Sequence, residues 1–314
     1  MKIAVTGALG LVGSGVTAGL HDAGHQVIAL DRRPPSEAAE AAAALTAALA
    51  SATGAAATEA PTTATLLKSI DDLRPADLTS YDETRDALEG VDAVVHLAGI
   101  NAPIAAPEWQ VHDNNVLASY HVLTAAATLG IPRVVQSSSV NAIGLSWSRS
   151  PEFDYFPVDL DHRSRNEDGY SLSKLVQELQ ADSLTRRYEE LSVVSLRLHA
   201  VLDEAVTAQA YIDRVGISWA VNGLFSYCTT ASTVDANVRS CSAQIQGHER
   251  LWVVEPETYV ETESRELAAR HYPGVPVRAG LTGRSAFFDV SRTNEVLGWE
   301  ASTLAHPPPQ LVRL

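Results

Sequence analysis

Short apolar runs alternate with longer amphipathic stretches along the first 200 residues. Runs that are short, rich in Val, Ile and Leu and bounded by turn residues predict strands, at Lys2–Val5, Gln26–Leu30, Ala93–Leu97, Arg133–Gln136 and Ser192–Leu198. The intervening stretches predict helices near Leu11–Ala23, Tyr81–Leu88, Val111–Leu129 and Leu172–Tyr188. Alternation of this kind is typical of an α/β protein with a doubly wound parallel sheet.

The alternation is interrupted twice. Residues 36–65 are dominated by Ala, with Thr, Ser and Glu, and predict a surface insertion; a lid is the alternative interpretation. After about residue 200, short strand candidates such as Leu251–Val254 and Ala286–Val290 mix with Pro, Gly and charged residues. We therefore predict a Rossmann domain over residues 1–200 and a smaller substrate-binding region over residues 201–314, folded over the carboxyl ends of the strands.

Composition narrows the choice of partners. The 314 residues are 46% hydrophobic and 19% charged, which is ordinary for a globular protein, and the formal net charge is −15. That charge disfavours nucleic acid and anionic membranes as partners. A strand pattern that begins at Lys2 leaves no room for a signal peptide, and no apolar run of about 18 residues predicts a membrane span. We expect a cytoplasmic protein.

Cysteine and histidine spacing predicts no metal site. Cys228 and Cys241 form neither a disulfide framework nor a C-x-x-C pair, and we expect buried free thiols. The ten histidines are scattered without the spacing of metal ligands.

A glycine-rich turn follows the first predicted strand and opens the first predicted helix. It reads Thr6-Gly7-Ala8-Leu9-Gly10-Leu11-Val12-Gly13, a variant of the dinucleotide-binding pattern. Gly7 permits the tight turn, Gly10 lets the backbone approach a pyrophosphate, and Gly13 lets the helix pack closely. Backbone N–H groups and the helix dipole would then hold the phosphates.

Asp31 ends the second predicted strand, where a carboxylate discriminates between the two common dinucleotides. It can accept hydrogen bonds from both ribose hydroxyls of the adenosine half, and it would repel a 2′-phosphate. Arg32 and Arg33 follow directly and are the feature that would favour NADP. We predict NAD, with NADP as the less favoured cofactor.

Three polar residues predict proton-transfer chemistry. Tyr170 and Lys174 are four residues apart, which places both on one face of a helix. A nearby ammonium and a bound nicotinamide cation would both lower a phenol pKa that is normally about 10. The strand ending at Gln136 runs into Ser137-Ser138-Ser139, where a hydroxyl can hydrogen-bond the reacting oxygen.

Together these motifs resemble the extended short-chain dehydrogenase/reductases, the family of NAD-dependent sugar epimerases, dehydratases and uronate dehydrogenases. The landmarks that match in the family's order are Thr6–Gly13, Asp31, Asp77-Leu78, His96-Leu97-Ala98-Gly99, Asn115, Ser137–Ser139, Tyr170–Lys174 and Arg197-Leu198. They cover about the first 200 residues. Asp289-Val290-Ser291 with Leu297-Gly298-Trp299 resembles the family's C-terminal pattern more loosely.

The resemblance implies further roles. Asp77 and Leu78 would flank the adenine, Asn115 would lie behind the active site, and His199 would fall beside the nicotinamide. A homodimer would form through the helices near Val111–Leu129 and Leu172–Tyr188. The cofactor-binding residues implied by motif and resemblance together are Gly7, Gly10, Leu11, Gly13, Asp31, Arg32, Asp77, Leu78, Leu97, Ala98, Gly99, Asn115, Ser137, Tyr170, Lys174 and His199.

Departures from the family pattern bear on the substrate. Arg197–Val201 lacks the Asn and the Gly-Pro common in nucleotide-sugar epimerases, and Tyr227–Ser232 lacks two aspartates, which weakens the case for a UDP- or TDP-sugar. The turn Ser139–Gly144 resembles that of uronate dehydrogenases. The candidates for substrate contacts are Asn101, Trp147, His162 and Arg197.

The sequence therefore predicts an NAD-dependent oxidoreductase or epimerase acting at a hydroxyl or keto carbon of a sugar-like or biosynthetic small molecule. Tyr170 would be the general acid/base, Lys174 would tune it and hold the ribose, and Ser139 would bind the substrate oxygen. The alternative is an NAD-binding sensor or scaffold without turnover. The complete Ser-Tyr-Lys set argues against that alternative, because a sensor needs only the cofactor cradle.

Overall fold

The structure is a computed structural model that describes residues 1–33, 68–202, 208–300 and 312. The Ala-rich stretch 36–65, predicted to be a surface insertion, lies outside these residues. Among the described residues, no helix combines the length and apolar character needed to cross a membrane.

The described strands are β1 Lys2–Thr6, β2 Gln26–Asp31, β3 Asp72–Pro75, β4 Ala93–His96, β5 Arg133–Ser139, β6 Ser192–Leu198, β7 Val201–Leu202, β8 Cys228–Thr229 and β9 His248–Val253. Seven of them form the main sheet, which is parallel and has the order β3-β2-β1-β4-β5-β6-β9. β7 and β8 pair separately. The strand order reverses between β1 and β4, and ligands of open α/β sheets bind at such a reversal. The predicted doubly wound sheet is confirmed.

Helices cover both faces of this sheet. They are α1 Leu11–Asp22, α2 Tyr81–Ala87, α3 Glu108–Leu129, α4 Gly169–Arg187, α5 Ala208–Val215, α6 Ile217–Asn222, α7 Thr230–Ser242, α8 Ser264–His271 and α9 Ser291–Leu297. Neighbouring residues of a strand point to opposite faces. Ile3 and Val5 accordingly pack with α1 and α7, whereas Ala4 packs with α2, α3 and α4.

The chain after residue 202 contributes to two places. β9 pairs with β6 and extends the main sheet, and α7 packs on the same face as α1. The rest joins the segment after β5 in a separate apolar cluster, in which Phe156, Trp252 and Phe287 are fully buried. The predicted division near residue 200 remains a prediction.

One predicted strand is absent. Ala286–Val290 forms only an isolated β-bridge, in which Phe288 pairs with Val158. The pairing does not extend toward Phe156, because Phe156 forms its own bridge to Val277: it donates its N–H to the Pro276 carbonyl and accepts a hydrogen bond from Arg278 N.

The two cysteines are buried free thiols, as predicted. Burial raises the pKa of both Cys228 and Cys241 to about 12. Both thiols therefore stay protonated at neutral pH and are poor nucleophiles.

A buried carboxylate, Glu255, lies at the N-terminus of α7, next to the Tyr227–Ser232 stretch that lacks aspartates. Glu255 accepts hydrogen bonds from the backbone N–H of Thr229 (3.1 Å), the Thr229 hydroxyl (3.0 Å) and the Ser232 hydroxyl. A negative charge is favourable there because the helix dipole presents its positive end.

Candidate active site

The glycine turn between β1 and α1 depends on close backbone contacts. Gly7 has a φ of +66° and donates its N–H to the Leu30 carbonyl at 2.8 Å. A Cβ on Gly13 would lie 2.0 Å from the Gly7 carbonyl oxygen, so only glycine fits there. The turn itself therefore requires glycine at position 13, in addition to the close helix packing that the sequence predicts. No side chain caps the N-terminus of α1, and its N–H groups remain available to a phosphate.

Asp31 lies at the carboxyl end of β2, as predicted, but it already has a partner. The Arg33 guanidinium donates to both carboxylate oxygens, at 2.8 Å and 2.9 Å. Burial opposes ionisation of Asp31, yet these hydrogen bonds outweigh it and hold its pKa below the ordinary value. A ribose hydroxyl would share or replace this ion pair.

Two connected cavities of about 320 Å³ and about 540 Å³ follow the carboxyl ends of the strands. The predicted residues that line the first are Gly7, Gly10, Asp31, Arg32, Asp77, Leu78, Leu97, Ala98 and Gly99. Those that line the second are Gly7, Gly10, Leu11, Gly13, Leu97, Gly99, Ser137, Ser139, Tyr170, Lys174 and His199. Gly7, Gly10, Leu97 and Gly99 line both cavities, which therefore form one cleft.

Asn115 is the predicted cofactor-binding residue that lines neither cavity. It is fully buried in α3, where its amide accepts a hydrogen bond from Ile100 N (2.8 Å) and donates one to Ile100 O (2.9 Å). The amide also donates to the Ser173 hydroxyl on α4. Asn115 thus connects the segment after β4 to α4, and its predicted cofactor contact stays a prediction.

Ser139, Tyr170 and Lys174 meet in the second cavity, and each is nearly buried. Ser139 ends β5, and its hydroxyl accepts a hydrogen bond from Asn141 N at 3.1 Å. Tyr170 lies in the first turn of α4, and Lys174 follows one turn later. The Lys174 ammonium donates to the Ser137 carbonyl at 2.8 Å and lies 5.7 Å from the centre of the Tyr170 ring.

The protein's own groups do not lower the phenol pKa in the way the sequence predicted. Burial raises the pKa of Tyr170 to about 12, and a hydrogen bond with Ser139 only partly opposes this. Burial also lowers the pKa of Lys174 to about 8, against the opposing charge of Glu178. The Lys174 ammonium donates to the Ser137 carbonyl, and it does not offset the burial that raises the pKa of Tyr170.

A buried ionic network supports the serine strand from behind. Glu178 is fully buried one turn after Lys174, and it accepts a hydrogen bond from the Ser138 hydroxyl at 2.6 Å. Arg197 donates to both Glu178 oxygens at 2.9 Å and 2.8 Å, and Arg250 donates to one at 3.0 Å. Arg197 was a candidate for substrate contact, but this pairing turns its guanidinium away from the cleft. The sequence does not predict a role for Glu178, because the residue belongs to no short motif.

His199 lines the cleft as a neutral side chain. Its Nδ1 accepts from Ala200 N (2.7 Å), so the proton belongs on Nε2, which donates to the Gly223 carbonyl (2.9 Å). Burial lowers the pKa of His199 to about 4. Of the other proposed substrate contacts, Asn101 and Trp147 line the cavity, whereas His162 bonds to backbone at Asp154 and does not.

Several cavity residues carry no sequence signal. Asn141 fixes Ser139, and the far end of the cavity is lined by Ser146, Tyr211, Arg214 and Trp219. They come from the segment after β5 and from α5 and α6, which pack together only in the folded chain.

Comparisons with known proteins agree with this geometry. The sequence matches the NAD dependent epimerase/dehydratase family over residues 3–205. It is 32% identical over 132 residues to an NAD-dependent glucose-6-phosphate dehydrogenase of Haloferax volcanii (39% of this chain, 48% of the relative). It is 27% identical over 134 residues to a uronate dehydrogenase of Pseudomonas syringae pv. tomato (43% and 46%). The chain thus spans about half the length of the curated relatives it matches.

A solved structure described as MoeE5 in complex with UDP-glucose and NAD has the same fold. The two align with a TM-score of 0.64 and 23% identity, over 97% of this chain and 95% of that one. The family match covers more than half of the 314 residues and includes the glycine turn and the Ser-Tyr-Lys positions. The chain belongs to the NAD-dependent epimerase/dehydratase family.

Proposed function

We propose that this protein catalyses NAD-dependent hydride transfer at a hydroxyl or keto carbon of a sugar-like small molecule. One observation carries the proposal: Ser139, Tyr170 and Lys174 meet in a cavity that continues into the glycine turn. The relatives named above act on anionic sugars according to their descriptions, which is consistent with such a substrate.

The residues of the cleft fit a dinucleotide. The close approach of Gly13 to Gly7 excludes a side chain, and the uncapped N-terminus of α1 offers N–H groups to a pyrophosphate. Asp31 and Asp77 lie at the end suited to the adenosine, and Ser137 and Lys174 lie at the end suited to the nicotinamide ribose. NADP is disfavoured because Asp31 would oppose an added phosphate.

Each residue of the trio has a separate task. When bound, NAD accepts the hydride from the substrate carbon, and its positive ring lowers the pKa of a nearby phenol. Tyr170 Oη takes the proton of the substrate hydroxyl during oxidation and returns one during reduction. Ser139 donates a hydrogen bond to the same substrate oxygen, since its own oxygen already accepts from both the Asn141 backbone N–H and the Asn141 side-chain amide. Lys174 orients the ribose and contributes positive charge.

The test is reduction of the bound cofactor. The protein loaded with NAD is mixed with a panel of alcohols and sugars, and the protein loaded with NADH is mixed with the corresponding ketones. The absorbance of reduced nicotinamide is followed through a single turnover in both cases. We expect reduction with at least one sugar-like compound. Unchanged NAD across the whole panel would favour the sensor or scaffold alternative, because a sensor binds the dinucleotide without consuming it.

The glycine turn gives a prediction about cofactor binding. Replacing Gly13 with Ala is expected to weaken NAD binding at least about tenfold, because the added methyl forces the Gly7 carbonyl away and opens the phosphate cradle. Calorimetric titration with NAD measures the change. Gly280→Ala is the matched control, since its Cβ would meet only Pro157 at 3.4 Å. Equal NAD affinity in both variants would contradict the role given to the turn.

We also propose that two copies pair through α3 and α4. These helices expose Leu117, Tyr120, Leu172 and Leu179 although they belong to a well-packed domain. Replacing Leu179 with Glu is expected to shift a dimer toward the monomer in sedimentation experiments, because an apolar contact would receive a charge. Ile217→Glu alters a comparably exposed residue on α6 and is expected to leave the mass unchanged. A monomeric wild-type chain would exclude this interface.

A further inference from the structure

The second cavity is lined by positive and not by negative side chains among the described residues, although the chain as a whole is acidic. The protein carries 38 acidic and 23 basic residues, yet no Asp or Glu is among the described residues that line this cavity. Its lining cations are Lys174 and Arg214. A cleft lined by one sign of charge concentrates ligands of the opposite sign. The bias here is toward an anion.

Arg214 is the cation placed to meet such a ligand. Lys174 already donates to the Ser137 carbonyl beside the reacting groups. Arg214 instead lines the cavity from α5, with its guanidinium carbon 5.5 Å from the centre of the Tyr211 ring. Within the described part of the chain, no carboxylate forms an ion pair with it. A guanidinium presents a planar fork of donors that matches carboxylate and phosphate oxygens.

A chain of aromatic contacts connects Arg214, through Tyr211, to the reacting groups. The rings of Trp147 and Trp219 meet edge to face, with their centres 4.4 Å apart. Trp219 Nε1 donates to the Tyr211 hydroxyl at 3.1 Å, and Trp147 N donates to the Asn141 amide oxygen at 3.4 Å. The same Asn141 holds Ser139, so this aromatic wall is connected directly to the reacting centre.

We infer that the substrate is a small monomeric sugar bearing an anionic group, a carboxylate or a phosphate, and that Arg214 binds this group while Trp147 and Trp219 contact the ring. The inference rests on the proposed function and specifies its substrate. It makes Arg214 a specificity residue, separate from the Ser-Tyr-Lys trio.

Binding experiments test this inference independently of turnover. The Tyr170→Phe variant, saturated with NAD, is titrated with glucose, glucuronate, glucose 6-phosphate and UDP-glucose, and Kd is measured by calorimetry; the variants below are compared in the same background. We expect at least one of the two monomeric anionic sugars to bind about 10-fold to 100-fold more tightly than glucose, as a charged hydrogen bond allows. The glucuronate and glucose 6-phosphate titrations separate the carboxylate from the phosphate. The inference is overturned if glucose binds as tightly, if UDP-glucose binds best, or if neither anionic sugar binds.

Variants assign the effect to one side chain. Arg214→Gln is expected to remove the preference for the anionic sugar, and Arg214→Lys to keep part of it, because the charge stays but the fork is lost. Arg187→Gln is the matched control, since Arg187 also lies over a tyrosine ring (Tyr188, 5.4 Å) but outside the cavity. A preference that survives in Arg214→Gln overturns the inference, as does a loss confined to NAD affinity.

Failure of the proposed function has a different signature. If NAD and an anionic sugar bind together but NAD is never reduced, the proposed substrate site is supported and the proposed hydride transfer is rejected. If NAD is reduced equally well by neutral and anionic sugars, hydride transfer stands and the role of Arg214 fails.

Discussion

Replacing Tyr170 with Phe is expected to lower kcat by about a hundredfold to ten-thousandfold, the range attributable to a general acid/base. The change removes only the hydroxyl that exchanges a proton with the substrate. The ring remains in place, and the glycine turn and Asp31 are untouched, so the Kd for NAD is expected to change less than about twofold. Turnover is followed by nicotinamide absorbance, and NAD binding by calorimetry.

The control for this experiment is Tyr188→Phe. Tyr188 follows the last turn of α4 and does not line the cleft, so losing its hydroxyl is expected to leave kcat unchanged. Full activity in Tyr170→Phe would remove this phenol from the chemistry. A variant that loses NAD binding together with activity would show a disturbed cleft, and the assignment of Tyr170 as proton carrier would not stand.

Replacing Glu178 with Ala is expected to lower the free energy of unfolding by about 3–5 kcal/mol, because Arg197 and Arg250 would remain as buried or partly buried charges without their carboxylate. Urea denaturation measures the loss. Glu266→Ala breaks an exposed ion pair with Arg270 in α8 and is expected to cost less than about 1 kcal/mol. Equal losses in the two variants would mean that the buried network contributes no more than a surface pair.

The effect of Glu178 also depends on pH. Burial by itself raises its pKa, but hydrogen bonds and the charge of Arg197 outweigh burial and hold the pKa below the ordinary value of 4.5 for a glutamate. A carboxyl with a lowered folded-state pKa stabilises the protein above the unfolded pKa, and this contribution is lost as pH falls through the folded pKa. The stability difference between wild type and Glu178→Ala is therefore expected to shrink as the pH falls below about 4.5.

Local pattern was sufficient to predict most of the nucleotide-binding half. The predicted strand at Ser192–Leu198 has the bounds of β6, and the glycine turn and the Ser-Tyr-Lys residues converge on one cleft. These features have short-range signatures, because a strand buried on both faces is a short apolar run bounded by turn residues, and a phosphate cradle needs glycines at fixed spacing.

The remaining features depend on contacts between distant segments. β9 was anticipated only as a strand candidate, since nothing in its sequence says that it pairs with β6. Glu178 meets Ser138 and Arg250, which lie 40 and 72 residues away along the chain. The pKa of Tyr170 was predicted in the wrong direction for the protein alone, because spacing reveals the nearby Lys174 but not the burial of the phenol.

The pairing of β6 with β9 has a consequence for synthesis on the ribosome. A nascent chain that has emerged only to about residue 205 contains the whole stretch that matches the family, but β6 still has an open edge. Every residue of that strand is buried in the finished protein and four of its seven residues are Val or Leu, so the open edge is able to pair with another chain. The edge of β6 stays open until β9 has emerged from the ribosome. Elongation between residue 205 and β9 is therefore the step most sensitive to aggregation and to chaperone supply.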